Sequence, residues 1–143
     1  MSDHGIGVPY RARVRFAECD AWGELQLFAL HALFDAAVEH AFAQLGVDWR
    51  GITHPAQVLR GAGLCMNVAK APGCDDEIDF EVTGVRIGQA GLEIDVAARQ
   101  ARGGPELATA VLSFVRRQAD DGAGLLPAEV SAALSRLATT PAM

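Results

Sequence analysis

The side chains able to move a proton or attack a carbonyl gather early in this chain: Asp20, Glu24, His31, Asp35, Glu39 and His40 fall within 21 residues. Carboxylates and imidazoles of this kind serve as general bases, general acids or nucleophiles. Asp20 opens an Asp-x-x-Gly run that ends at Gly23, and such an aspartate is equally at home as a turn or N-cap residue with no chemistry. His31, Asp35 and Glu39 are spaced four apart, which puts them on one narrow stripe if the segment is helical. On that stripe Asp35 could polarise a bound group or pair with His31. His31 and His40 also fit hydrogen-bonded core or interface positions. Trp22, inside the turn, could line a pocket or simply pack. The three cysteines, Cys19, Cys65 and Cys74, are odd in number and show no CxxC or Cys/His spacing. Neither a disulfide framework nor a metal site is expected, and reduced thiols are.

These residues need elements to position them. From Phe28 to Gly46 the sequence lacks proline, is dense in alanine and leucine, and ends at a glycine; this pattern predicts a helix about 28 Å long. Leu30, Leu33, Phe34, Val38, Phe42 and Leu45 cover most of its circumference, so other elements must wrap it. Ahead of it, Tyr10 to Phe16 alternates, with Tyr10, Ala12, Val14 and Phe16 on one face and three arginines on the other, which predicts a half-buried strand. Val47 to Arg60 has no sustained period and reads as a loop of a length that often borders a binding site. Four more strands are predicted at Ala62–Ala69, Asp75–Val85, Leu92–Arg99 and Leu107–Arg117, the last apolar on both faces as in a central or interface strand. Connections short enough for hairpins imply an antiparallel sheet with one face free to cover the helix. Pro127 to Leu137 fits a short terminal helix.

With 143 residues, half of them apolar, and a net charge of −6, the expectation is one α+β domain over residues 1–143 with its core at about 9–118. The negative balance argues against nucleic acid or an anionic membrane as partner. The N-terminus lacks a signal-peptide layout and the long helix carries charges, so a cytoplasmic protein with no membrane span is expected.

The element order, the run Arg15-Phe16-Ala17-Glu18-Cys19-Asp20-Ala21-Trp22-Gly23 and the following Phe34-Asp35-Ala36-Ala37 resemble the hotdog fold, specifically the 4-hydroxybenzoyl-CoA thioesterase-like family. The resemblance spans roughly residues 9 to 118. It implies a five-stranded antiparallel sheet wrapped around one central helix, and hydrolysis of an acyl thioester on coenzyme A or a carrier protein. Coenzyme A would be part of the substrate, and no separate cofactor is expected. Asp20 matches the family's catalytic aspartate, which attacks the carbonyl or activates water. The backbone amide near Leu27 falls where the family stabilises the oxyanion at the helix N-terminus. Trp22 and Gly23 are the substrate-binding candidates, and Glu24 and Asp35 the secondary acid–base candidates.

The chain also departs from that pattern. Many members place a histidine or tyrosine, a small residue, an asparagine and a tyrosine where this sequence reads Leu27-Phe28-Ala29-Leu30, and some have tyrosine at the place of Phe16. Two readings stay open on these residues: a hydrolase relying on Asp20 and the helix amides, or a noncatalytic hotdog domain that binds an acyl or aromatic ligand or serves oligomerisation. A homodimer or dimer of dimers is expected, since a lone small sheet leaves edges and apolar surface exposed. Arg60, Lys70, Arg86 and Arg102 stand near strand ends as possible phosphate partners, and their spacing singles out none.

Overall fold

The alanine- and leucine-rich stretch forms α1, Leu27–Ala43, one residue earlier than the pattern suggested. Residues 44–46 close it as a turn: Gly46 takes φ +78°, and the Val47 N–H returns to the Phe42 carbonyl at 2.9 Å. A left-handed residue after the last helical turn is a position glycine fills without a Cβ clash. In this computed structural model, residues 8–49, 59–88 and 91–116 are described. The predicted helix at 127–137 lies outside them, as do residues 50–58 of the predicted loop.

The strands are β1 (Tyr10–Arg13), β2 (Leu59–Val68), β3 (Glu77–Ile87), β4 (Gly91–Gln100) and β5 (Glu106–Arg116). They form one antiparallel sheet in the order β1-β3-β4-β5-β2. Among the described residues this is the expected five-stranded sheet around the long helix α1. Leu30, Phe34, Val38 and Phe42 of α1 are fully buried together with Ile78, Phe80 and Val82 of β3 and Ile94 and Val96 of β4. Phe34 meets Phe80 edge-on with ring centres 5.3 Å apart, a geometry that aligns one ring's positive edge with the other's negative face. Leu107, Ala108, Ala110 and Leu112 of β5 are likewise buried, as its apolar pattern required of a strand with neighbours on both sides.

Two expectations need correction. Hairpins join β3 to β4 and β4 to β5, but β2 pairs with β5 rather than with β3. The connection after β2 therefore crosses from one edge of the sheet to β3, beside the other edge strand, bonding on the way to Leu25 through Pro72, to Gly23 through Cys74 and to Val14 through Asp75. A short link between two strand patterns does not by itself make them partners: here β5 takes the pairing edge of β2. The first strand is also shorter than its alternation. Pairing reaches Val14, whose N–H and carbonyl bond Asp76 and Asp75. The chain then enters a 3-10 turn at Phe16–Glu18, fastened by the Arg15 N–H to the Glu18 carboxylate at 2.9 Å. That turn throws Phe16 into solvent, 85% exposed, instead of onto the sheet face.

The edge strand β1 is held by charge as well as by its ladder. Asp79 is the buried charged side chain of the described core, and the Arg11 guanidinium donates to both its oxygens at 2.7 and 2.9 Å. That paired fork holds the Asp79 carboxyl below the usual carboxylate range.

Candidate active site

Three segments meet at the mouth of α1: the turn from Cys19 to Gln26, the first helical residues, and the crossover Pro72–Asp76. The turn is a small ladder. Cys19 bridges Leu25, Glu24 bridges Gly73, and the Asp20 N–H donates to the Glu24 carbonyl at 2.8 Å. Its tip needs Gly23, which sits at φ +76°, a conformation that costs an L-residue through its Cβ. The same oxygen of Asp20, Oδ1, accepts the Trp22 N–H at 2.9 Å and the Glu24 N–H at 3.0 Å. Asp20 is thus the residue that closes the turn, and Oδ2 is left without a protein donor among the described residues.

The start of α1 is uncapped. Gln26 stands at the N-cap without capping through its side chain, which donates instead to the Cys19 carbonyl at 3.0 Å, and the first turn carries no acid. Helix geometry leaves the N–H groups of Leu27, Phe28 and Ala29 without intrahelical acceptors. They are available to an anion, with the helix dipole behind them. The side chains of Leu27 and Phe28 point out, 61% and 71% exposed, and with Trp22 and Phe16, each 85% exposed, they leave this end of the molecule apolar.

The stripe read from the sequence lies elsewhere. His31, Asp35 and Glu39 form one wall of a cleft of about 570 Å³, opposite β2 residues 61–64 and β5 residues 112–114, with Trp49 also lining it. Asp35 and His31 pair at 3.3 Å. Burial raises the Asp35 carboxyl above the ordinary carboxylate value, an effect that His31 partly offsets. Trp49 stacks on Phe42 at 4.7 Å and meets Phe114 edge-on at 5.0 Å. α1 packs chiefly on β3, β1 and β4, which leaves this cleft between the helix and the β2–β5 side of the sheet.

Of the sequence candidates, the fold brings Asp20, Trp22, Gly23, Glu24 and the Leu27 amide together at the helix mouth and sends Asp35 into the cleft. Glu24 is exposed, as a turn glutamate would be. His40 is a packing residue: it lies against Tyr10 at 5.5 Å and contacts the Val8 carbonyl at 3.2 Å. Arg86 is engaged by Asp95 and Glu93, and Arg102 by Glu77, so each is already paired within the sheet. Sequence reasoning missed the crossover, which delivers Gly73 and Cys74 to the mouth. The Ala71-Pro72-Gly73 run marked only a break in the pattern. Among the described residues, no group of three or more His, Cys, Asp or Glu side chains is placed to hold a metal ion, and no helix is long and apolar enough to cross a membrane.

No protein-family model and no curated protein sequence matches the chain. Solved structures do. A 1,4-dihydroxy-2-naphthoyl-CoA thioesterase from Synechocystis superposes with a TM-score of 0.76 at 16% identity, covering 91% of this chain and 96% of that one. A thioesterase from Thermus thermophilus, complexed with coenzyme A and zinc, gives 0.76 at 18% identity over 98% of this chain and 100% of that one. A gentisyl-coenzyme A thioesterase gives 0.68 at 16% identity, covering 89% and 98%. At these identities the likeness is one of fold, and the fold is the hotdog arrangement.

Proposed function

We propose that the chain hydrolyses acyl thioesters, with coenzyme A or a carrier protein as the thiol, in the manner of the 4-hydroxybenzoyl-CoA thioesterase-like family. The observation that carries this reading is the uncapped N-terminus of α1 beside the Asp20 turn, on a fold whose solved neighbours include a 1,4-dihydroxy-2-naphthoyl-CoA thioesterase and a gentisyl-coenzyme A thioesterase. A thioester carbonyl placed against the Leu27 and Phe28 amides would develop its negative charge where unpaired N–H donors already stand. Asp20, through Oδ2, would attack that carbonyl or take the proton of an attacking water. Trp22 and Gly23 would border the bound group. The apolar Leu27-Phe28-Ala29-Leu30 run supplies no polar side chain there, so the chemistry rests on the carboxylate and the amides.

A second assignment of the carboxylate is favoured by a different observation. Asp35 lies in the cleft, next to His31, and its raised protonation range suits a group that exchanges protons. Hydrolysis of a panel of short, long and aromatic acyl-CoAs, followed by free-thiol release, tests the activity itself. Turnover of at least one member is expected. Hydrolysis of none would leave the noncatalytic ligand-binding domain as the better description.

The working unit is proposed to be a homodimer or dimer of dimers. β2 is an edge strand of ten residues with Leu64 and Val68 each 37% exposed, and such an edge invites pairing. Light scattering is expected to give a mass at least twice 15.1 kDa; a monomer at micromolar concentration would contradict this.

A further inference from the structure

Cys19 and Cys74 are remote in sequence and share no motif, yet three hydrogen bonds draw their segments into one corner. The Cys19 thiol turns back to donate to the Arg15 carbonyl at 3.5 Å. The residue before Arg15, Val14, accepts the N–H of Asp75 at 3.0 Å, and Cys74 donates its own N–H to Gly23, at the tip of the Asp20 turn, also at 3.0 Å. Cys74 is also close enough to the Cys19 thiol to help push it up. Both are half-buried and neither is in a disulfide. Cys65, by contrast, lies exposed on the edge strand β2.

We propose that Cys19 and Cys74 form a dithiol site that takes a low-molecular-weight disulfide, such as oxidised glutathione, and closes reversibly into an intramolecular disulfide beside the Asp20 turn. The thiolate of Cys74 attacks one sulfur of the small disulfide. The S–S bond breaks, one thiol leaves, and Cys74 carries a mixed disulfide. Cys19 then loses its proton to water and attacks the Cys74 sulfur, expelling the second thiol. Two electrons pass from the protein to the small disulfide, and two small thiols are released.

The order follows from the surroundings of Cys19. Partial burial, the neighbouring Cys74 and the charges of Asp20 and Glu18 push its thiol up, so it is the poorer first nucleophile. As the second it gains from being held beside its target, where an intramolecular attack needs no encounter. Closure brings the two sulfurs to a bond of about 2.05 Å. The closed form would fasten the base of the Asp20 turn to the crossover.

The site stands independently of what the chain catalyses, because its readout is a mass. The purified chain is incubated with oxidised glutathione, alkylated with iodoacetamide, digested without reduction and mapped. The expected result is a species lighter by two hydrogens at the Cys19–Cys74 pair, a cross-linked peptide containing both, and recovery of both thiols after treatment with reduced glutathione. Cys65 is expected to be found alkylated or carrying glutathione. In Cys19→Ser the expected product is a glutathione adduct that stays on Cys74. The proposal is overturned if Cys19 and Cys74 both remain open to alkylation, if each carries its own glutathione, or if either pairs with Cys65 instead.

Discussion

The two candidate carboxylates, Asp20 and Asp35, end up in different surroundings. Asp20 stands in a partly exposed turn, and one of its oxygens is committed to two backbone amides. Asp35 sits halfway along α1 on the wall of a cleft, its side chain 56% exposed and paired with His31, and the partial burial it does have raises its carboxyl. The first is fastened to the backbone of its turn; the second is paired with a side chain one helical turn away, and its carboxyl is held above the ordinary carboxylate value.

The largest effect separates the two by turnover. On a thioester that the wild type hydrolyses, Asp20→Asn is expected to lower kcat by about 100-fold or more, since general-base contributions alone reach that size. Asp35→Asn and Glu24→Gln should cost much less. If Asp35→Asn gives the large loss while Asp20→Asn keeps wild-type turnover, the role moves to the cleft and Asp20 is a turn residue only.

Stability sharpens the structural half of the contrast. Asp20→Ala removes the acceptor of two amides and is expected to cost about 1–2 kcal/mol in denaturant unfolding, whereas Asp20→Asn keeps an oxygen acceptor and should stay close to wild type. Equal losses in the two variants would mean that charge, not the two hydrogen bonds, holds the turn. Gly23→Ala forces a Cβ into a residue at φ +76° and should cost roughly 1 kcal/mol, although the space around that Cβ is empty. No measurable loss would show that the turn relaxes to another conformation.

The smallest effect belongs to Asp35 and depends on pH. Its folded pKa lies above the unfolded value, so its ionised form is penalised in the native state. That penalty acts above the folded pKa and disappears as pH falls below the unfolded value of about 3.9. Asp35→Asn is therefore expected to melt slightly higher than wild type at pH 7, with the difference closing near a pH of about 3.5. A variant that melts lower at pH 7 would instead assign net stabilisation to the His31 pair.

Much of this architecture was legible along the chain. The α1 pattern, the last three strand patterns and the Gly46 stop are local signals, because side-chain period and glycine's freedom at positive φ act within a few residues. The stripe of His31, Asp35 and Glu39 was legible for the same reason. Phe16 was not: its alternation with Val14 ended where the Arg15–Glu18 turn closed, a hydrogen bond that no period announces. The partner of β2 was also hidden, since a strand's own pattern names its faces but not its neighbour.

By itself the sequence determined that one apolar helix must be covered by an antiparallel sheet, and that an aspartate turn must precede it, because periodicity and turn chemistry depend on near neighbours. Only the tertiary structure decided that the chain after β2 crosses the sheet to the helix mouth, that Asp35 faces a cleft rather than that mouth, and that Cys19 meets Cys74. Each of these is a meeting of residues remote in sequence or a choice between faces. They are fixed by which edges and apolar surfaces remain free once the local elements have formed.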